Sequence, residues 1–299
     1  MIEPPTFAVP SGSFLGIGRA DAGAEFVIAG IPLDIGTTNR AGARDAPRAI
    51  RAASRMLVDG QHPHWWFDPK TMPLSDIGDL QIALGDIAAS HALIERQAGM
   101  LSHLVAFGGE HGVTLPLLRA LRLRIGEPVG LLHFDAHCDT SEDNFGQIHA
   151  HGSVFYHAIM EGLVDPRRTI QIGIRAPMPR DMWDWTLGQG VSILTAQDVH
   201  ASTPDKIAAQ IKGVLGPAPS YLSFDIDSLD PSCAPGTGTP EIGGLLSWQA
   251  QAIIRRLAGV KFVGADVVEV LPACDVSEIT ALAGATIAWE YLCLLGANR

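Results

Sequence analysis

The run His133-Phe134-Asp135-Ala136-His137-Cys138-Asp139 closes an apolar stretch, Val129 to Phe134, that reads as a buried strand. A second run, Ser223-Phe224-Asp225-Ile226-Asp227, closes another, from Tyr221. On an extended backbone, residues i, i+2 and i+4 point to the same side. Asp135, His137 and Asp139 are therefore expected to converge on one point, and Asp225 and Asp227 on another. Carboxylates gathered at the end of an apolar strand repel one another and resist desolvation, so they require a cation among them. Oxygen ligands with imidazole added suit Mn²⁺, Fe²⁺, Zn²⁺ or Ni²⁺ better than Ca²⁺.

Working outward, the same alternation of strand and helix runs through the chain. Strands are predicted at 25–30, 103–107, 129–134, 169–174, 221–226 and 262–268. Helices are predicted at about 46–56, 82–102, 114–123, 152–161, 204–215, 247–257 and from about Ser277 onward, with Asp45 as a candidate N-cap of the first. Continuous apolar strands alternating with helices predict a single-domain three-layer α/β/α fold with a mainly parallel sheet. Residues 1–20, rich in Pro, Gly and Ser, are expected to be an N-terminal arm, and 21–299 one catalytic domain. In such folds ligands collect at the carboxyl ends of the strands, which is where each acidic or His run falls.

A third such run, Gly108-Gly109-Glu110-His111-Gly112, follows Val105-Ala106-Phe107 and presents His111 at the same rim. The count then closes: His111 and His137 are neutral, and Asp135, Asp139, Asp225 and Asp227 balance two divalent cations. Two metals about 3.5–4 Å apart lower the pKa of a water between them and clamp the attacking oxygen. His149 and His151 follow within about ten residues and could shuttle protons; His151, beside Gly152, is the better placed. Glu269, ending the strand Gly264 to Val268, could pair with a cationic substrate group or form a structural ion pair. Arg175 reads as structural or as a rim contact.

Composition narrows the function. A net charge of −11 and a pI near 5.4 argue against nucleic acid or an anionic membrane as partner. Four cysteines without paired spacing argue for a reducing compartment. Neither a signal peptide nor a membrane span is read, so a cytoplasmic protein is expected.

Together these runs resemble the ureohydrolase family of arginases, agmatinases and guanidino-acid hydrolases, nearest its agmatinase and guanidinobutyrase branch. The resemblance extends from Gly30-Ile31-Pro32-Leu33-Asp34 to the last helix and is densest in Ser223-Phe224-Asp225-Ile226-Asp227-Ser228-Leu229-Asp230-Pro231 and Ala234-Pro235-Gly236-Thr237-Gly238-Thr239-Pro240-Glu241. It implies an arginase-like α/β fold and hydrolysis of a guanidinium carbon, of agmatine or a guanidino acid such as 4-guanidinobutyrate, to urea plus an amine. It also implies two Mn²⁺ per chain, with Ni²⁺ an alternative, held by His111, Asp135, His137, Asp139, Asp225 and Asp227. It assigns proton transfer to His151 and guanidinium binding to Glu269, and implies a homotrimer or hexamer.

The chain departs from the family where Glu110 and Gly112 stand in place of Asp and Ser, and where Pro272-Ala273-Cys274-Asp275 replaces Pro-Pro-Tyr-Asp. These departures leave small or N-alkylated guanidines open as substrates, and a non-catalytic role beside an active paralogue as the alternative function. A single-zinc amide deacetylase fits least, because it has no use for the second set of ligands.

Overall fold

The computed structural model describes residues 12–18 and 21–297. Its strands are β1 Phe26–Gly30, β2 Leu74–Asp79, β3 His103–Phe107, β4 Val129–Phe134, β5 Val164–Ile174, β6 Ser192–Thr195, β7 Ser220–Asp225 and β8 Phe262–Val268. Its helices are α1 Ala46–Ala53, α2 Ile87–Ala98, α3 Thr114–Ile125, α4 Val154–Met160, α5 Arg180–Gly188, α6 Ala196–His200, α7 Pro204–Leu215, α8 Ser247–Ile254 and α9 Ile279–Ala297. All eight strands join one sheet in the order β2-β1-β3-β8-β7-β4-β5-β6, and each neighbouring pair is parallel.

Alternation along each strand sends side chains to two helical layers. In β1, Val27 and Ala29 pack with Ile94 and Ala98 of α2 and with Leu117 and Ala120 of α3. Phe26 and Ile28 pack on the other face with Ile50 of α1 and Ala285 and Ala288 of α9. Each large aliphatic side chain so buried contributes about 1.5–3 kcal/mol relative to exposure. The three-layer α/β/α arrangement expected from the alternation is the one found.

Local signals set several boundaries. Thr203 accepts from the Lys206 N–H at the start of α7, Pro204 takes the first helical position, and the helix stops at Leu215. Gly126 ends α3 at φ 85°, and its N–H donates to the Arg122 carbonyl. Asp45 does not cap α1. A 3-10 turn over Ala43–Asp45 already runs into the helix, so the Asp45 side chain is not set to accept from its first turn.

Four elements were not expected: β2, β6, α5 and α6. Of the expected arm, residues 1–11, 19 and 20 lie outside the described residues, while Phe14 and Leu15 are buried in the main core. Helix α9 is long and apolar enough to cross a membrane by length and composition, yet most of it is buried inside the fold. Its Glu290 is fully buried and held by His62 at 2.9 Å and by Arg255.

Because every pairing is parallel, the carboxyl ends of all strands share one edge. The order places β3, β8, β7 and β4 side by side at the centre. Neighbouring strands stand about 4.8 Å apart, so residues just beyond these four ends come within contact distance whatever their separation in the chain.

Candidate metal centre

His111 follows β3, Asp135 to Asp139 follow β4, Asp225 ends β7 with Asp227 in the 3-10 turn just beyond it, and Glu269 follows β8. The six residues expected to hold metal come together there, grouped differently from the strand-by-strand expectation. His111 Nδ1 lies 3.1 Å from Asp135 Oδ2, 3.0 Å from Asp139 Oδ2 and 3.1 Å from Asp225 Oδ2. His137 Nδ1 lies 3.3 Å from Asp135 Oδ1 and 3.1 Å from Asp227 Oδ2. The two groups therefore cross between strands and share Asp135, which turns one oxygen to each. The strict two-residue alternation is lost because β4 stops at Phe134 and Asp139 takes a left-handed backbone at φ 51°.

Backbone donors fix the carboxylates. Asp135 Oδ1 accepts from the His137 N–H at 2.6 Å, Asp225 Oδ1 from the Asp227 N–H at 2.8 Å, and Asp227 Oδ1 from the Ala136 N–H at 3.0 Å. The remaining oxygens face the imidazoles. His111, Asp135, Asp225 and Asp227 are at most 2% exposed, and His137 is the open member, with 27% of its side chain exposed.

Protons alone fill this cluster badly. Burial, then the charges of Asp227 and Asp135, hold the Asp225 carboxyl well above the usual range. Burial and Asp135 likewise raise Asp227. Burial opposes charge on His111, yet Asp135, Asp139 and Asp225 outweigh it and push its pKa well up. The two acids shift through burial and mutual repulsion, and His111 through its carboxylate neighbours.

Three residues that sequence reasoning missed, Ser223, Asp266 and His133, hold the candidate ligands in place. The His111 Nε2–H donates to Ser223 Oγ at 2.8 Å, and the Ser223 hydroxyl donates to Asp266 Oδ1 at 2.7 Å. Asp266 also accepts from Thr114 at 2.8 Å and Tyr221 at 2.9 Å. This relay holds Nε2 and leaves Nδ1 as the ring nitrogen that faces the carboxylates, the side on which a metal would be bound. His133 Nε2 lies 2.8 Å from Asp135 Oδ2, and its Nδ1 accepts from Gln171 Nε2 at 3.1 Å. The signals were present: His133 is one alternation before Asp135, and Asp266 is a charge inside an apolar strand.

Glu269 adopts φ 63° and turns its side chain back over the cluster, where Oε1 accepts from the His111 N–H at 2.8 Å. His151 Nδ1 lies 3.3 Å from the same oxygen, and its Nε2 lies 2.8 Å from Thr38 Oγ1. Burial disfavours the imidazolium, but the hydrogen bond and charge of Glu269 prevail and push His151 up to about 9. Glu269, 1% exposed, stands behind His151 and not on the open wall. His149 is turned away, its ring centroid 5.0 Å from that of His91.

A cleft of about 210 Å³ opens onto the centre, lined by His137, Asp139, His151, Asp225 and Asp227 at its base. Its outer wall is Ser141, Asn144, Pro177, Met178 and Met182, none of them charged. Arg175 adds no cation to that wall, since its guanidinium donates to the carbonyls of Asp227 at 2.8 Å and Glu241 at 2.6 Å, and to others nearby. Glu241 Oε1 lies 3.9 Å from His137 Nε2.

The family model described as the arginase family matches residues 24–293. The chain is 45% identical over 278 residues to an agmatinase of Chromobacterium violaceum, covering 91% of this chain and 84% of that one. It is 45% identical to an agmatinase of Cronobacter sakazakii over 93% of this chain and 90% of that one. Among solved structures it is similar to a hypothetical agmatinase from Burkholderia thailandensis, with TM-score 0.89, 42% identity and coverage of 95% and 90%. It is also similar to the proclavaminate amidino hydrolase of Streptomyces clavuligerus, with TM-score 0.88, 34% identity and coverage of 94% and 95%. The chain belongs to the arginase family and is a hydrolase of amidine C–N bonds.

Proposed function

We propose that this chain hydrolyses the guanidinium group of agmatine, releasing urea and the diamine, and that His111, Asp135, His137, Asp139, Asp225 and Asp227 hold two divalent cations for that reaction. The observation that carries the proposal is the shared Asp135, whose two oxygens face two separate His–carboxylate groups. The donor set of oxygens and neutral imidazoles fits Mn²⁺, with Ni²⁺ compatible. Such a pair of cations, when bound, ionises water at neutral pH and so supplies the nucleophile that a resonance-stabilised guanidinium demands.

The chain's own residues do the rest. Glu269 accepts the N–H groups of the guanidinium and offsets its charge, exchanging its contact with His151 for one with the substrate. His151, held by Thr38, gives a proton to the departing amine nitrogen. The tail of the substrate runs out along Met178 and Met182. The uncharged outer wall and the fully engaged Arg175 offer nothing to a substrate carboxylate, whereas Glu241 at the rim suits an ammonium. This favours agmatine over guanidino acids.

Urea release with added Mn²⁺ or Ni²⁺ tests the proposal on agmatine, 4-guanidinobutyrate, 3-guanidinopropionate and an N-alkylguanidine. Agmatine is expected to be turned over fastest; no urea from any of the four would refute the hydrolytic reading.

A further inference from the structure

Glu110 and Gly112, the two departures beside His111, are related by packing to a third residue, Gly36. Glu110 is fully buried, and its Oε1 accepts from the Gly36 N–H at 2.8 Å. A Cβ on Gly36 would lie 2.6 and 2.7 Å from the two carboxylate oxygens of Glu110, closer than Cβ atoms approach anything. On the other side, a Cβ on Gly112 would stand 3.6 Å from the Glu110 carboxyl carbon and 3.1 Å from the His149 carbonyl. The long acid thus occupies the space that a side chain on Gly36 would need, whereas a Cβ on Gly112 would meet it only at ordinary contact distance. Gly36 lies outside the left-handed region, so its lack of a Cβ serves space and not backbone conformation.

The segment that Glu110 grips is the one that orients His151. The His151 N–H donates to the Gly36 carbonyl at 3.4 Å, and Thr38 meets His151 Nε2 through its hydroxyl at 2.8 Å and its N–H at 3.3 Å. We infer that Glu110 is a positioning residue: packed closely on Gly36 and bonded to its N–H, it holds the Gly36–Thr38 segment against His151 and so sets where the proton donor stands over the substrate. The inference rests on the role proposed for His151. It makes Glu110 and Gly36 a matched pair, large acid against absent side chain. Neither can change alone.

A double-mutant cycle on the metal-loaded full chain tests this. Glu110→Asp withdraws the carboxylate from Gly36, and Gly36→Ala drives a methyl into it. Each is expected to lower kcat for agmatine by roughly 10–100-fold, the scale of an ångström-sized misplacement, with KM and metal content unchanged. In Gly36→Ala/Glu110→Asp the methyl fills the space left by the shorter acid, so kcat should exceed the product of the two single losses by at least about tenfold. A double variant at that product, or loss of metal in Glu110→Asp, would overturn the inference in favour of a role through His111. If Gly36→Ala fails to fold, Glu110→Gln decides: keeping an acceptor at the same reach, it should retain more kcat than Glu110→Asp, and the opposite order is contrary. The His151 imidazole resonance in ¹⁵N-histidine-labelled protein, assigned by its loss in His151→Asn, should move in Glu110→Asp. An unmoved resonance refutes the inference, and this readout separates its failure from failure of the wild type on agmatine.

Discussion

At the outer part of the sheet Asp76 and Asp79 close around Arg51, whereas at its centre Asp135, Asp139, Asp225 and Asp227 close around two imidazoles. Asp76 receives Arg51 Nε at 2.9 Å and Nη2 at 3.0 Å, while Nη1 reaches Asp79 at 2.5 Å. The Phe14 N–H adds a bond to Asp76 at 2.7 Å. That cluster is complete: a permanent cation on the chain meets its acids in a planar fork. The central cluster has more buried acid and no guanidinium or ammonium, and its Asp225 and Asp227 are held above the usual carboxylate range. Where the fold needs an ion pair for itself, it supplies both signs. Where the proposed chemistry lies, the cations of the proposal come from solution.

Removing one member from each cluster separates the two most sharply. Asp135→Ala takes the shared ligand from both groups; it should abolish turnover and lower bound metal, read by metal analysis, while the chain stays folded. Full activity with depleted metal would contradict the comparison. Arg51→Met leaves Asp76 buried without its cation, and unfolding by denaturant should show a loss of about 3–5 kcal/mol, with metal content per folded chain unchanged. The contrast is between a function lost without the fold and a fold weakened without the site.

A smaller effect is expected at the edge of the centre. His151→Asn should lower kcat by about 10²–10⁴-fold, the usual worth of a general acid, and leave bound metal intact. In the unaltered chain His151 is raised to about 9, so it carries its proton below that pH and sheds it above. This value belongs to the substrate-free chain, so the proton-donating limb of kcat/KM should fall as pH rises through about 9, and His151→Asn should remove that limb. Asp266→Asn is milder still. It disturbs the orientation of His111 through Ser223 without touching a ligand, and metal affinity measured by chelator competition should weaken roughly 10–100-fold.

Much of this architecture was legible in the sequence, and the exceptions have physical reasons. Helix α7 could be read residue by residue because Thr203, Pro204 and Gly216 carry their conformational preferences with them. Strand β2 could not, because Leu74-Ser75-Asp76-Ile77-Gly78-Asp79 looks polar until Arg51, distant in the chain, neutralises it. Helix α5 buries only Thr186, so it shows almost no apolar stripe. The candidate ligands announced themselves because acids crowded at apolar strand ends call for a cation. Their grouping did not, since it depends on β8 and β7 lying between β3 and β4, an order that no local spacing encodes. Asp266 acts on His111 through Ser223, across three strands, and was obscured for the same reason, whereas His133 lies one alternation before Asp135 and was within reach of the spacing.

The parallel sheet divides the molecule's loops into two kinds. Loops leaving the carboxyl ends carry the acids, the His151 segment and the cleft. Turns at the opposite edge, such as Gly126-Glu127-Pro128 and Gly216-Pro217-Ala218-Pro219, only return a helix to the next strand. For anyone wishing to tether this enzyme to a surface, splice in a reporter or join it to another domain, that second edge is the attachment face, a full strand length away from the reaction.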